Sequence, residues 1–385
     1  MSKLRPWAQP GFGRRLAGEC SGACGDLGTL LAHGIGAMTV VGLAPAGVLF
    51  GFGAFLIGSG LFYGIPMAVQ PMKAVSAVML TGELAPGAVA ASGLLIGATL
   101  LVLGATGAIR GIARRIPQTI TAGLQLGLGL SMVLLGLRLM ADTPWLGVLT
   151  LASLLVLMRV PGLPAVPVAL ALAVGIGSMA GTVAVPAGIT AGLTWPPLVL
   201  PGWEQALDAF ELAVLPQIPL TLTNAVIVTA AVARDLFPER SGRADERALA
   251  LTTGIANLAL APFGAMPMCH GAAGIQAQHR FGARTGLAPI LLGVVLLVLG
   301  LGFASGAGAV MGMIPPGAVG ALLVIAGGDL ALSKRLFDAR PSCWLPIGVT
   351  AAVTLLTNPA LGLAAGCLVE LGRRPAERLA GRLRA

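Results

Sequence analysis

Tyr63–Lys73 reads YGIPMAVQPMK, and Phe263–Gly274, 200 residues further on, reads FGAMPMCHGAAG. Each interrupts an apolar stretch with Gly, Pro and polar side chains, at a depth where a membrane helix should run unbroken. Irregular backbone at that depth survives only where it is buried in protein or lines a cavity. Two Gly/Pro-broken apolar segments at matching places in two halves point to the binding site of a transporter.

The rest of the chain supports a lipid solvent. Of its 385 residues, 56% are hydrophobic and 10% charged, with a mean hydropathy of +0.90. Soluble domains carry about 25% charged residues. Runs such as 94–103, 290–303 and 319–326 are apolar on every face, as spanning helices require. The 56 Gly and 27 Pro suit close helix packing in a bilayer, where neighbours satisfy the carbonyls that Pro frees. Five cysteines (Cys20, Cys24, Cys269, Cys343, Cys367) lack metal-ligand spacing with histidines and read as small buried residues. The basic N-terminus has no short apolar region ending in a small-residue cleavage site, so it is expected to be retained.

Hydropathy and turn signals divide the chain into fourteen segments. The first half holds spans at 20–41, 46–62, 70–82, 87–109, 117–140, 145–159 and 162–180. The second holds spans at 207–233, 247–262, 270–280, 287–305, 314–332, 343–357 and 359–373. The third and tenth are too short to cross as helices at about 20 residues per crossing. Each is expected to be an extended strand leading into a half-helix. The implied layout is a cytoplasmic N-terminus (1–19), a first repeat (20–182), an extracytoplasmic connection (183–206), a second repeat (207–373) and a cytoplasmic tail (374–385).

The charges test this map. With the N-terminus inside, Lys3, Arg5, Arg14 and Arg15 are cytoplasmic. So are Arg110, Arg114 and Arg115, Arg159, the Arg234–Arg247 group, Arg280 and Arg284, Lys334, Arg335 and Arg340, and the tail from Arg373. Only Lys73 and Arg138 fall elsewhere, Arg138 beside Asp142 as a surface pair. The net charge of +9 is therefore a topology signal of the positive-inside kind, and nucleic acid is not an expected partner.

The halves correspond beyond the opening pair. Ile116-Pro117 and Ile314-Pro315 begin spans five and twelve; Trp145-Leu146 and Trp344-Leu345 begin spans six and thirteen. The offsets are 198 and 199 residues, close to the 200 of the broken segments. An odd number of spans per half inserts the second half upside down. The fold class expected is an all-α membrane protein, a 7+7 inverted repeat with two broken half-helices and the site at the repeat interface.

Lys73 is the sharpest residue. It falls in the first turn of a half-helix opened by Pro71, with Gln70 at the cap. A lysine inside the membrane costs at least about 2.5 kcal/mol unless paired or wet. Beside the positive end of a helix, it suits an anion. The facing half-helix begins at His270-Gly271, and its first turn, Gly271–Gly274, is small enough for backbone N–H groups to reach a ligand. His270 either donates to the substrate, titrates as a proton carrier, or serves as a structural bond at the cap. Helix one contributes Asp26 and Thr29, and helix eight contributes Gln217, Thr221 and Asn224; these act as substrate contacts or as interhelical hydrogen bonds. Asp26 either couples a proton, offsets Lys73 or caps its helix. His33 reads as a buried interhelical hydrogen bond, and Asp329 as a partner of Lys334 or Arg335. There is no nucleophile with a base, no phosphate loop and no metal cluster. Glu19 and Glu83 are no catalytic pair, so no enzyme and no cofactor is expected.

With GDLGTLL at Gly25–Leu31 and QIPLTLTNAV at Gln217–Val226, the two broken segments resemble the molybdate transporter family related to the SulP sulfate permeases. Ala68 and Ala32 stand where that family often has Pro. The resemblance implies a seven-plus-seven fold of core (helices one to four, eight to eleven) and gate (five to seven, twelve to fourteen), without the STAS domain common in sulfate permeases. It implies uptake of a tetrahedral oxyanion across the cytoplasmic (inner) membrane with both termini inside. Gln70, Lys73, His270, Gly271, Thr29, Gln217 and Asn224 are then the substrate residues, and Asp26 and His270 the candidates for proton coupling. Molybdate is the expected cargo. Sulfate transport and an anion channel of the same fold are the alternatives, and a homodimer is the assembly considered.

Overall fold

A computed structural model describes residues 12–82, 84–109, 111, 117–160, 165–184, 188 and 190–384. Lys3, Arg5, Glu83, Arg110, Arg114, Arg115 and Ile116 lie outside the described residues. The first half comprises α1 (Phe12–Ala23), α2 (Leu27–Thr39), α3 (Pro45–Tyr63), β1 (Val69–Pro71), α4 (Lys73–Leu80), α5 (Pro86–Thr106), α6 (Gln118–Asp142), α7 (Pro144–Leu157) and α8 (Ala165–Met179). The second comprises α9 (Trp203–Leu236), α10 (Glu246–Leu260), β2 (Met268–His270), α11 (Ala272–Arg280), α12 (Leu287–Gly302), α13 (Ala304–Gly312), α14 (Pro316–Ala331), α15 (Trp344–Leu356) and α16 (Pro359–Arg384). Helices α3, α5, α6 and α9 are each long and apolar enough to cross a membrane. Pro sits in the first turn of α3, α5, α7 and α14, where its missing N–H costs nothing. Gly64 and Gly107 stop α3 and α5 in the left-handed conformation.

Packing follows the repeat. Helix α3 lies on α12 as α10 lies on α5; α6 lies on α15 as α14 lies on α7; α8 lies on α7 as α16 lies on α15. The pair α6 and α14 is its own counterpart. There the helices meet backbone to backbone: a Cβ at Gly136 would sit 2.6 Å from the carbonyl oxygen of Gly320. Small residues allow such an approach, which is how helices gain contact without a hydrophobic drive between them.

The two broken segments meet as antiparallel strands, Val69 opposite His270, Gln70 opposite Cys269 and Pro71 opposite Met268. Each strand then passes into its half-helix, α4 or α11. The side-chain amide of Asn257 on α10 serves as a further strand edge for β2. Its Oδ1 accepts from Met268 N at 2.9 Å, and its Nδ2 donates to Met268 O at 2.6 Å.

Four details differ from the sequence reading. Pro71 ends the strand and does not open the half-helix: Met72 N still donates to Pro267 O at 2.9 Å, so Lys73 is the first helical residue. Helix one is broken at Cys24–Asp26, where Gly25 packs on α11; a Cβ there would lie 2.9 Å from Ala277 O. Helix eight starts at Trp203 and widens to π-helix at Ala209–Val214 and Thr221–Val228, flanking Pro216 and Pro219. Such wide turns absorb the hydrogen bonds that Pro removes. Arg138 and Asp142, expected as a pair, make no ion pair among the described residues.

Candidate functional site

A cavity of about 530 Å³ lies where α2, α4 and α11 face α7, α8 and α14. Asp26, Thr29 and His33 line it from one face of α2, at spacings of three and four residues. Lys73 enters from the start of α4, and Ala273 and Ala277 from α11. Leu322, Ile325 and Asp329 of α14 and Val166 of α8 form the opposite wall. The lining continues past Met158, Phe281 and Leu332, next in sequence to Arg159 and Arg280, so it leads toward the end of the molecule that carries the basic residues.

Lys73 is half-buried, and among the described residues no carboxylate lies within ion-pair distance of it. Its charge is within electrostatic reach of Asp26, His33 and Asp329. The first turn of α11 has no side-chain cap, because its cap residue is Gly271. Its first backbone bond is Ile275 N to Gly271 O at 3.1 Å, which leaves the earlier N–H groups without a helical acceptor. Ammonium, free amides and the end of a helix dipole together form an anion-attracting corner.

Asp26 occupies that corner in part. It is 7% exposed, and its Oδ1 accepts from Gln70 Nε2 at 2.7 Å. A Cβ on Gly274 would strike Asp26 Oδ2 and Ala68 Cβ, so the carboxylate rests on the first turn of α11. Gln70 is thereby committed to Asp26 and does not line the cavity. Gly271 is held against Gln70, whose side-chain amide leaves no room for a Cβ.

Helix eight plays the matching part at the other half-helix. Gln217 Oε1 accepts from Ala74 N at 2.8 Å and Val75 N at 3.3 Å, and its Nε2 donates to Thr221 Oγ1 at 2.9 Å. Gln217 therefore caps α4 with a side chain from another helix, away from the cavity lining. Under the repeat, Gln217 on α4 corresponds to Asp26 on α11: an amide at one half-helix, a carboxylate at the other. Asn224 is half-buried one turn beyond Thr221 and does not line the cavity.

His270 is fully buried behind the strands. Its Nε2 lies 3.0 Å from Thr252 Oγ1 and its Nδ1 3.3 Å from Ala68 O, with the Tyr63 ring at 5.2 Å. Tyr63 Oη in turn lies 2.6 Å from Thr252 Oγ1. Both ring nitrogens of His270 thus face scaffold groups, and it does not line the cavity. Thr29 and Lys73 stand in the cavity as expected, and Asp26 does too.

Three residues were missed. His33 was expected to bond a neighbouring helix, but it lines the cavity and its Nδ1 has no partner among the described residues. Asp329, read as a partner of Lys334 or Arg335, also lines the cavity. Asn257 was not singled out. For His33 the signal was available, since it shares a helical face with Asp26 and Thr29. Glu19 is structural: its Oε1 accepts from Arg284 N and Thr285 N, both at 3.0 Å. Among the described residues no cluster of His, Cys, Asp or Glu could hold a metal.

The family profile described as "Molybdate transporter of MFS superfamily" matches residues 18–132 and 209–330. Molybdate transporter 2 of Arabidopsis thaliana is 32% identical over 92% of this chain and 86% of its own length. Among solved structures, the transmembrane domain of BicA, a cyanobacterial bicarbonate transporter, superposes with a TM-score of 0.67 at 19% identity, covering 93% of this chain and 97% of its own. SLC26A9 gives 0.72 at 14% identity, covering 96% of this chain and 66% of its own. The fold is thus that of the SLC26 and BicA transporters. By family profile and by relatives along nearly its whole length, the chain belongs to the molybdate transporter family.

Proposed function

We propose that this protein imports molybdate across the cytoplasmic membrane by alternating access. Lys73 and the uncapped first turn of α11 hold the oxyanion, with Thr29 donating from α2. Gln70, Gln217 and Gly271 act by shaping that corner: Gln70 orients Asp26, Gln217 caps α4, and Gly271 admits the amide of Gln70. Helices α1–α5 and α9–α12 carry the site as one body past α6–α8 and α14–α16. With the basic end in the cytoplasm, the cavity leads inward, and both termini are cytoplasmic. The observation that carries this reading is the Lys73 ammonium, unpaired among the described carboxylates, in a cavity shared with the N-terminus of α11.

Proton coupling belongs to the same proposal. Asp26 and Asp329 both line a cavity meant for a dianion. Two like charges 4 Å apart repel by about 4 kcal/mol at an effective dielectric of 20. Protonation of Asp26 as the oxyanion enters removes that repulsion and frees the first turn of α11. His270 is a poorer carrier, because Thr252 and Ala68 engage both its nitrogens.

The test is uptake of labelled molybdate into proteoliposomes, with sulfate as competitor. Saturable uptake lost in Lys73→Ala is the expected result. Unchanged uptake in that variant sinks the reading, and strong competition at equal concentration makes sulfate the cargo.

A further inference from the structure

We infer that His33 is a third arm of the oxyanion site, donating from Nε2 to a substrate oxygen opposite Lys73. The inference rests on the function proposed above, and it assigns a contact that neither the motifs nor the relatives supply. His33 is 2% exposed, yet its side chain lines the cavity. Its Nδ1 is buried without a hydrogen-bond partner, and no described residue bonds to its Nε2. Buried polar groups in native proteins are nearly always paired. With Nδ1 sequestered, Nε2 is the nitrogen left to meet the cavity.

The surroundings select the ligand. His33 lies one turn beyond Thr29 and two turns beyond Asp26 on the same face of α2, roughly 10 Å along the helix from Asp26 at 1.5 Å per residue. It is within electrostatic reach of Lys73. The wall opposite is apolar at Leu322 and Ile325, and Asp329 on the same wall makes no ion pair with it among the described residues. A neutral Nε2–H donor near an ammonium suits an anion with oxygens pointing in several directions, as a tetrahedral oxyanion has. The contrast with His270 is direct: that ring is satisfied by Thr252 and Ala68 O, and His33 by nothing in the protein described.

The experiment is molybdate uptake by reconstituted full-length His33→Leu and His33→Gln, beside Lys73→Ala. Gln places an amide nitrogen near the imidazole Nε2; Leu keeps bulk and removes the donor. His33→Leu should raise KM about 10-fold or more, the factor a hydrogen bond to a charged group supplies, with Vmax changed far less. His33→Gln should restore most of the affinity. A KM in His33→Leu within twofold of wild type overturns the inference, as does equal impairment of both variants, which would assign His33 a packing role. Loss of uptake in Lys73→Ala alongside either result keeps the site reading intact, whereas an unaffected Lys73→Ala removes both together. Should His33→Leu fail to fold, ¹⁵N-histidine NMR of the wild type decides. The chain has three histidines. Molybdate should move the His33 Nε2 resonance while His270 and His279 hold, and a static His33 signal overturns the assignment.

Discussion

Gln70 Nε2 donates to Asp26 Oδ1 at 2.7 Å, tying the first broken segment to the start of α2 across 44 positions of sequence. The bond leaves Asp26 Oδ2 against the first turn of α11, the place where a helix attracts an anion. On the proposed function, a side-chain carboxylate and the cargo contend for one positive corner, and Gln70 sets how firmly the carboxylate holds it.

Gln70→Leu keeps most of the volume and removes the donor. A buried hydrogen bond to a charged group contributes about 1.5–3 kcal/mol, so Asp26 should hold the corner less firmly and the KM for molybdate should fall about 10-fold or more while the protein stays folded. In the double variant with Asp26→Asn the two changes should overlap instead of adding, as expected for groups in contact. Additive changes in that cycle of uptake measurements would mean the pair does not act as a unit.

Gln217 offers a sharper separation of structure from transport. Gln217→Leu strands the Ala74 and Val75 amides and should cost about 1–3 kcal/mol, read as a lower melting temperature in detergent. Gln217→Glu can accept from the same amides, and a carboxylate at a helix N-terminus is favourable, so stability should recover. Its added negative charge beside α4 should still weaken uptake. If Gln217→Leu melts like wild type yet loses transport, Gln217 meets the substrate and the cap is incidental.

Much of this arrangement was legible in the sequence, for a physical reason. Gly, Pro and polar residues inside lipid-solvated segments are costly, so YGIPMAVQPMK and FGAMPMCHGAAG stand out against the apolar background and give away both half-helices. Lys73, Asp26 and Thr29 stand out in the same way. Polarity alone does not reveal which way a side chain turns. Gln70, Gln217 and His270 looked like ligands because they sit beside the broken backbone, yet that broken backbone itself needs partners. Asp26, the α4 amides, and Thr252 with Ala68 O claim them. Asn257 escaped notice because it lies 11 residues from the strand it completes, in a helix with no interruption to mark it. The break in helix one at Gly25 follows from a contact with Ala277, which local sequence cannot report.

Glycine substitutions test the fit of the corner. At Gly271 a Cβ would strike the side-chain amide of Gln70, and at Gly274 it would strike Asp26 and Ala68. Overpacking of this kind costs about 1–3 kcal/mol, so Gly271→Ala and Gly274→Ala should lower the melting temperature and depress uptake. Gly58, inside α3, has nothing within 4 Å of its would-be Cβ. Gly58→Ala should be neutral or stabilising by up to about 1 kcal/mol, the helix-propensity gain. Equal melting of all three variants would contradict the close approach of Gln70 and Asp26 to α11.

The coupling proposal makes its own demand on Asp26. If protonation of this carboxylate accompanies oxyanion entry, an acidic outer solution should accelerate molybdate uptake into wild-type proteoliposomes. Asp26→Asn resembles the protonated form and keeps an acceptor for Gln70, so it should still carry molybdate while losing most of that acceleration. His270→Gln should keep the acceleration even where it lowers stability, because His270 bonds only to the scaffold around β2. The decisive readout is proton entry alongside labelled molybdate, followed with a pH-sensitive dye inside the vesicles. An Asp26→Asn carrier that still moves protons with its cargo removes Asp26 from the coupling path. Asp329, the other carboxylate lining the cavity, is then the group to replace next, across the site on α14.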